Sequence, residues 1–277
     1  MSRIFAYVQY ILPHHAISRV IFWLTRIQSP YAQPFMRWFE RTYSLNMSEA
    51  AEPNLKKYAS FNAFFTRALK EGARPISSDE KAVVSPCDGH ISQIGPIVNG
   101  RIIQAKGHDY TAAELLGSEA DAIEFEGGQF VTIYLSPADY HRVHMPVKAR
   151  LRSTLHVPGR LFSVSPGTVE NVPRLFARNE RAVCFFDTEK GPVAQVLVGA
   201  INVAAIETVW AGLITPPTTW GPRQVTHQGK IVLERGEEMG RFNMGSTVVL
   251  LIPPGAEFFS ELSAGDEVKM GQSIGDW

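Results

Sequence analysis

The sequence predicts an α+β fold, with N-terminal helices laid against a mostly antiparallel β sandwich or barrel-like domain. Three observations carry this expectation. Apolar residues recur at helical spacing as far as Gly72, and after Pro75 short β-branched runs alternate with glycine and proline. The chain also lacks the strand–helix alternation of a doubly wound fold, a Gly-x-Gly-x-x-Gly run and a phosphate-binding loop. The expected division is a helical region over 1–75 and a β-rich region over 76–277.

Ile4, Tyr7, Val8 and Ile11 share one helical face, and Pro13 closes that segment. A second helix is predicted from Ile17 to Ile27, with Ile17, Val20, Ile21, Leu24 and Ile27 on one stripe and Arg19 and Arg26 opposite. A third begins at Ser60, a good N-cap. Phe61, Phe64, Phe65, Ala68 and Leu69 then form its stripe until Gly72 stops it. Strands are expected at 129–135, 193–206, 231–233 and 247–252, where β-branched residues cluster between turn formers.

Composition narrows the function classes. The 277 residues carry 27 lysines plus arginines against 27 acids, so net charge offers nothing for nucleic acid. Two cysteines, Cys87 and Cys184, have neither disulfide-framework nor zinc-ribbon spacing, which fits a reducing compartment. No apolar stretch is long enough to span a bilayer. The balanced total conceals a local bias, since residues 1–41 hold five arginines, one acid and nine of the 29 aromatic residues. Two readings of that segment stand: helices packing on the protein's own core, or an interfacial anchor with arginines for anionic headgroups.

Three segments could do chemistry. Asp88 lies in Ser85-Pro86-Cys87-Asp88-Gly89, a turn-like context in which most aspartates are structural. His141 and His144 stand three residues apart in Tyr140-His141-Arg142-Val143-His144-Met145-Pro146, a spacing also open to metal, although further ligands are scarce. Ser246 lies in Asn243-Met244-Gly245-Ser246-Thr247 at the start of a strand. Together Asp88, His144 and Ser246 supply acid, base and nucleophile. An α/β-hydrolase serine would need a second glycine where Val248 stands. A serine directly after glycine instead suits attack on its own preceding carbonyl. The peptide then becomes an ester, elimination opens it, and the serine is left as dehydroalanine and finally pyruvoyl.

At this point the chain resembles the phosphatidylserine decarboxylases in their shorter bacterial form. The resemblance rests on the 61–67 run Phe-Asn-Ala-Phe-Phe-Thr-Arg, on Arg74-Pro75-Ile76 and on the Asp88 and His141/His144 segments. It continues through Pro158-Gly159 with Leu161-Phe162, Asn171-Val172-Pro173, the run 176–181 and 236–247, covering the chain from about residue 55 onward. One departure is Met244, where the family motif usually has leucine; the swap conserves volume.

The resemblance implies a proenzyme in which Asp88 and His144 activate Ser246 and the chain is cut between Gly245 and Ser246. A large chain and a short one of 32 residues would result, the short one headed by a pyruvoyl group made from Ser246. That covalent pyruvate would serve as the cofactor, with no metal. Phosphatidylserine in the bilayer would lose carbon dioxide to give phosphatidylethanolamine. His144 would return a proton to the substrate, and His141 would sit on the substrate side, near its carboxylate or phosphate. It further implies a peripheral protein on the cytoplasmic side of the cell membrane, held through residues 1–41, and a homodimer. Rival readings are a membrane-surface esterase using the same three residues without self-cleavage, a lipid-binding or biotinyl-like β module, and a pyruvoyl enzyme for a soluble amino acid.

Overall fold

The computed structural model describes residues 2–105, 107–201, 205–217, 221–228 and 230–277, with the side chains of residues 2–4 outside the description. The places expected for Arg3 and Ile4 therefore lie outside the described side chains.

Helix α1 spans Ser2–Val8, α2 His14–Thr25, α3 Ala32–Thr42 and α4 Phe61–Phe65. The third predicted helix is shorter than its stripe. It starts as expected, with the Ser60 hydroxyl accepting the Ala63 amide at 3.2 Å, but ends at Thr66. Beyond it the backbone finds other partners: Ala51 N–H donates to Ala68 O, Lys70 N–H to Glu49 O, and Leu69 bridges Ala50. Pairing with residues 49–51 of the same chain replaces the last helical turn, so Ala68 and Leu69 keep helical spacing without helical structure.

Helices α1 and α2 and the turn between them invert the usual amphipathic arrangement. Their buried residues include Gln9 in the turn and His14, Ser18 and Thr25 in α2, whereas Tyr7, Ile11, Val20, Trp23 and Leu24 are exposed. Helix α3 contributes Met36 and Phe39 to a small core with Leu45, Met47, Ala50, Phe61, Phe64 and Phe65. Phe39 touches Phe61, Phe64 and Phe65 edge-on at centroid distances of 5.1–6.3 Å.

All ladders between strands are antiparallel, and no barrel closes among the described residues. The barrel-like alternative is thereby corrected. The largest sheet runs open from Arg223–Thr226 at one edge to Glu267–Val268 at the other. Near its middle, Ser246–Ile252 lies between Gly191–Val198 and Gln129–Leu135, and every residue of that strand is buried. A strand covered on both faces reads as a continuous apolar run, as Val-Val-Leu-Leu-Ile does here. The expected 193–206 strand splits: Gly191–Val198 pairs in the large sheet, while Ile206–Thr208 joins a four-stranded sheet with Gly212–Thr215, Glu238–Phe242 and Arg142–His144. One large core lies among these sheets and includes Ile133, Leu135, Val143, Val196, Met239, Phe242 and Val248. The fold thus sets Gly245 beside His141 at the start of the Ser246 strand, with His144 closing the strand that follows His141.

Candidate active site

Ser246 opens its strand opposite Leu135 and is fully buried, and its hydroxyl oxygen has no hydrogen-bond partner. A buried hydroxyl without a partner costs free energy, a state Ser246 shares with Thr132, Thr208 and Thr247; what sets Ser246 apart is the glycine before it and the histidine beside that glycine. Gly245 is not in the left-handed region; what its missing side chain provides is space. A Cβ there would lie 3.6 Å from His141 Nε2 and 3.4 Å from Leu135 O.

His141 is wholly buried beneath the Phe65 ring, 4.2 Å away between centroids. Its Nδ1 donates to Asp139 O at 2.8 Å, since a carbonyl can only accept. The proton of the neutral ring is thereby placed on Nδ1. Nε2 carries a lone pair, has no partner and faces Gly245. Burial, with Arg67 adding to it, lowers the pKa of this imidazole to about 3.

His144 has both nitrogens engaged. Nδ1 donates to Gly236 O at 2.8 Å, and Nε2 accepts from the Tyr140 hydroxyl at 3.1 Å. Gly236 presents that carbonyl from a turn with φ +81°, a conformation glycine adopts without strain. Burial again pushes the His144 pKa down, while the Gly236 hydrogen bond and the charges of Glu238 and Asp88 oppose it. Burial raises Tyr140 to about 12, so its hydroxyl stays protonated and donates.

Asp88 is buried but does not touch His144. Its carboxylate receives Arg74 Nε at 2.9 and 3.0 Å and the Met270 amide at 2.9 Å. Arg74 also reaches Glu49 at 2.9 Å. Asp88 thus acts on His144 through its field, with no hydrogen bond between them. Among the described residues none joins His144 to Ser246 either. Arg142 ties the histidine strand to its surroundings, donating to Thr66 O at 3.0 Å and Glu238 at 2.8 Å.

A cleft of about 130 Å³ opens beside Gly245, walled by Met244, Phe65, Tyr134, Ser163, Val164 and Ser165 among others. Arg74, Tyr140 and Gly236 are partners that spacing did not single out, although all three lie within segments carrying the family resemblance. The two cysteines are both free and buried, and no cluster that could hold a metal occurs among the described residues.

A sequence model of the family described as phosphatidylserine decarboxylase matches residues 61–276, and a second model, described as PSD, matches residues 4–44. A protein of Pseudomonas fluorescens named phosphatidylserine decarboxylase proenzyme is 53% identical across 99% of this chain and 97% of its own length. Equally named proteins of Pseudomonas putida and Pseudomonas aeruginosa are also 53% identical, with 98% and 96% of their lengths covered. Similarity this high, running through every segment that builds the site, means that the chain belongs to the phosphatidylserine decarboxylase family.

Proposed function

We propose that this chain is the proenzyme of a pyruvoyl-dependent phosphatidylserine decarboxylase, which cuts itself between Gly245 and Ser246 and then makes phosphatidylethanolamine and carbon dioxide. The observation that carries the reading is the buried, unpartnered Ser246 hydroxyl directly after a glycine that faces a bare imidazole nitrogen. A hydrolase serine would have to meet a foreign ester; this one has its own preceding carbonyl as nearest electrophile.

In self-cleavage Ser246 Oγ attacks the Gly245 carbonyl and gives up its proton. His144 Nε2 is the proposed acceptor, once the Tyr140 hydroxyl turns away from it. Asp88, fixed by Arg74 and the Met270 amide, favours the imidazolium by its negative charge. The site fits the pyruvoyl group, because Ser246 Oγ is already free of competing hydrogen bonds and the cleft reaches Gly245. When present, that group supplies a ketone that condenses with an amine and accepts the electron pair left by carbon dioxide.

His141 Nε2 offers a lone pair, which repels a carboxylate and attracts an ammonium. It is therefore proposed to receive the amine end of the substrate as a hydrogen-bond acceptor, since burial leaves it too weak a base to take the proton. His144 returns a proton to the carbon that has lost carbon dioxide. Phe65 and Met244 line this end of the cleft with apolar surface.

Residues 1–41 are proposed to dock on the cytoplasmic face of the cell membrane. Support comes from the outward stripe, in which Ile11 is 82% exposed, Trp23 66% and Tyr31 89%, in a segment rich in arginine. No described helix is long and apolar enough to cross a bilayer. Division into a helical region over 1–75 and a catalytic region over 76–277 belongs to the same reading, supported by the separate small core under α3. So does a homodimer, for which the exposed edge strand Arg223–Thr226 is a suitable surface.

A denaturing gel and mass spectrometry test the core of this proposal. Native protein should yield a 32-residue fragment with a borohydride-reducible ketone, and release carbon dioxide from phosphatidylserine. Ser246→Ala should stay full length and inactive. An intact native chain that hydrolyses esters would overturn it.

A further inference from the structure

The segment 159–165 crosses the molecule without a strand partner of its own beyond a bridge at Arg160, and the amides of 161–163 are satisfied by side chains. Leu161 N–H donates to His14 Nδ1 at 3.2 Å, Phe162 N–H to Asn179 Oδ1 at 3.0 Å and Ser163 N–H to Gln9 Oε1 at 2.6 Å. Two of these three acceptors come from the N-terminal helical segment, more than 140 residues away in the chain. Further bonds surround them. Gln9 Nε2 donates to Thr168 Oγ1 at 3.3 Å, His15 Nε2 meets Gly159 O at 2.9 Å, and Arg160 Nη2 donates to Tyr10 O at 2.7 Å. Phe162 completes the clasp, with its ring 5.0 Å from Tyr10 and 5.2 Å from His14.

The far side of this same segment is functional surface. Ser163, Val164 and Ser165 line the cleft, with Met244 and Gly245 also in its wall. We infer that Gln9 and His14 are positioning residues for the substrate cleft: through them the N-terminal helices hold the strap 161–165 at the distance from Gly245 that the lipid headgroup requires.

The chemistry of the two residues supports this. Gln9, directly after α1, is fully buried and His14, at the start of α2, nearly so, in a segment whose large apolar side chains mostly face outward. Anchoring to a bilayer alone would not require polar groups on the inner face; apolar ones would dock the helices at lower desolvation cost. Acceptors are what the strap amides need. Burial and the neighbouring Arg160 lower the His14 pKa to about 4, so Nδ1 remains an acceptor near neutrality. The membrane-facing segment is in this way also part of the wall of the site.

This inference rests on the decarboxylase reading, and its test keeps the two apart. Gln9→Met, His14→Ala and His14→Asn would be compared with the full-length native protein on dihexanoyl phosphatidylserine below its micellar concentration, where no membrane contributes. Release of carbon dioxide by the native protein checks the reading itself. Self-cleavage to completion shows that each variant has folded, and sedimentation with anionic vesicles reports membrane binding. The expected result is complete self-cleavage, unchanged vesicle binding and a KM raised about tenfold in Gln9→Met and His14→Ala. His14→Asn should recover most of the loss, because its amide oxygen can stand in for Nδ1. A normal KM on the soluble lipid, with or without weaker vesicle binding, would overturn the inference. So would failed self-cleavage in both His14 variants and Gln9→Met, which would assign the clasp to folding instead.

Discussion

Arg74 grips Asp88 from one side with its Nε at 2.9 Å from Oδ1 and 3.0 Å from Oδ2, and the carboxylate is buried. The hydrogen bonds of Asp88 go to this arginine and to the Met270 backbone amide. Removing the arginine leaves a buried carboxylate short of its cation, a change that costs about 3–5 kcal/mol when one partner of a buried pair is lost. Arg74→Met in a Ser246→Ala background, where cleavage cannot intervene, should show this as a lower urea midpoint. Asp88→Asn combined with Arg74→Met should recover part of the loss. Equal stability of Arg74→Met and its parent would mean that solvent compensates the carboxylate.

The period of the N-terminal helices was legible in the sequence, but the direction of their stripes was not. An apolar stripe opposite polar residues is the same pattern whether it faces a core or a bilayer. Gln9, His14, Ser18 and Thr25 decide the matter by being buried, and burial of a polar residue depends on partners distant in sequence. Strand Gln129–Leu135 was readable at its full length because both faces are covered. The helix from Phe61 was overextended because Ala50 and Leu69 pair across the chain, which spacing cannot reveal. In the site, residue types named Asp88, His141, His144 and Ser246. The hydrogen bonds that Tyr140, Gly236 and Arg74 make to them follow only from the folded chain.

Acid should destabilise the native state through its buried imidazoles. His141 and His14 have folded-state pKa values lowered to about 3 and about 4, below the ordinary 6.5. The unfolded chain therefore binds more protons, and stability is full above about pH 6.5 and falls as pH drops toward those lowered values. Between pH 7 and pH 5 each histidine accounts for a loss of about 2 kcal/mol. Urea unfolding of the Ser246→Ala chain at the two pH values should show that slope, and adding His141→Asn should flatten it. An unchanged slope would place the acid sensitivity elsewhere.

Tyr140 occupies the nitrogen that His144 would use as a base, while Nδ1 is independently pinned by Gly236. Tyr140→Phe keeps the ring, whose centroid lies 5.6 Å from the imidazole, and removes the competing donor. A hydrogen bond of this kind is worth about 1 kcal/mol, so self-cleavage should run as fast as in the native chain or up to about fivefold faster. The time course of appearance of the 32-residue fragment measures it. A hundredfold slowing would show instead that the hydroxyl takes part in proton transfer.

Gly245 is the position where folding and chemistry separate most clearly. An alanine Cβ there would meet Leu135 O at 3.4 Å and His141 Nε2 at 3.6 Å, ordinary contacts that demand little rearrangement. Its φ is not one reserved for glycine, so Gly245→Ala should lower stability by less than about 1 kcal/mol. The methyl group would nonetheless fill the gap between the scissile peptide and the imidazole and crowd the carbonyl that Ser246 must attack. Self-cleavage should slow at least tenfold, with a far-ultraviolet spectrum and urea midpoint close to those of Ser246→Ala. Full-rate cleavage in Gly245→Ala would mean that the open space beside Gly245 is not needed for the cut.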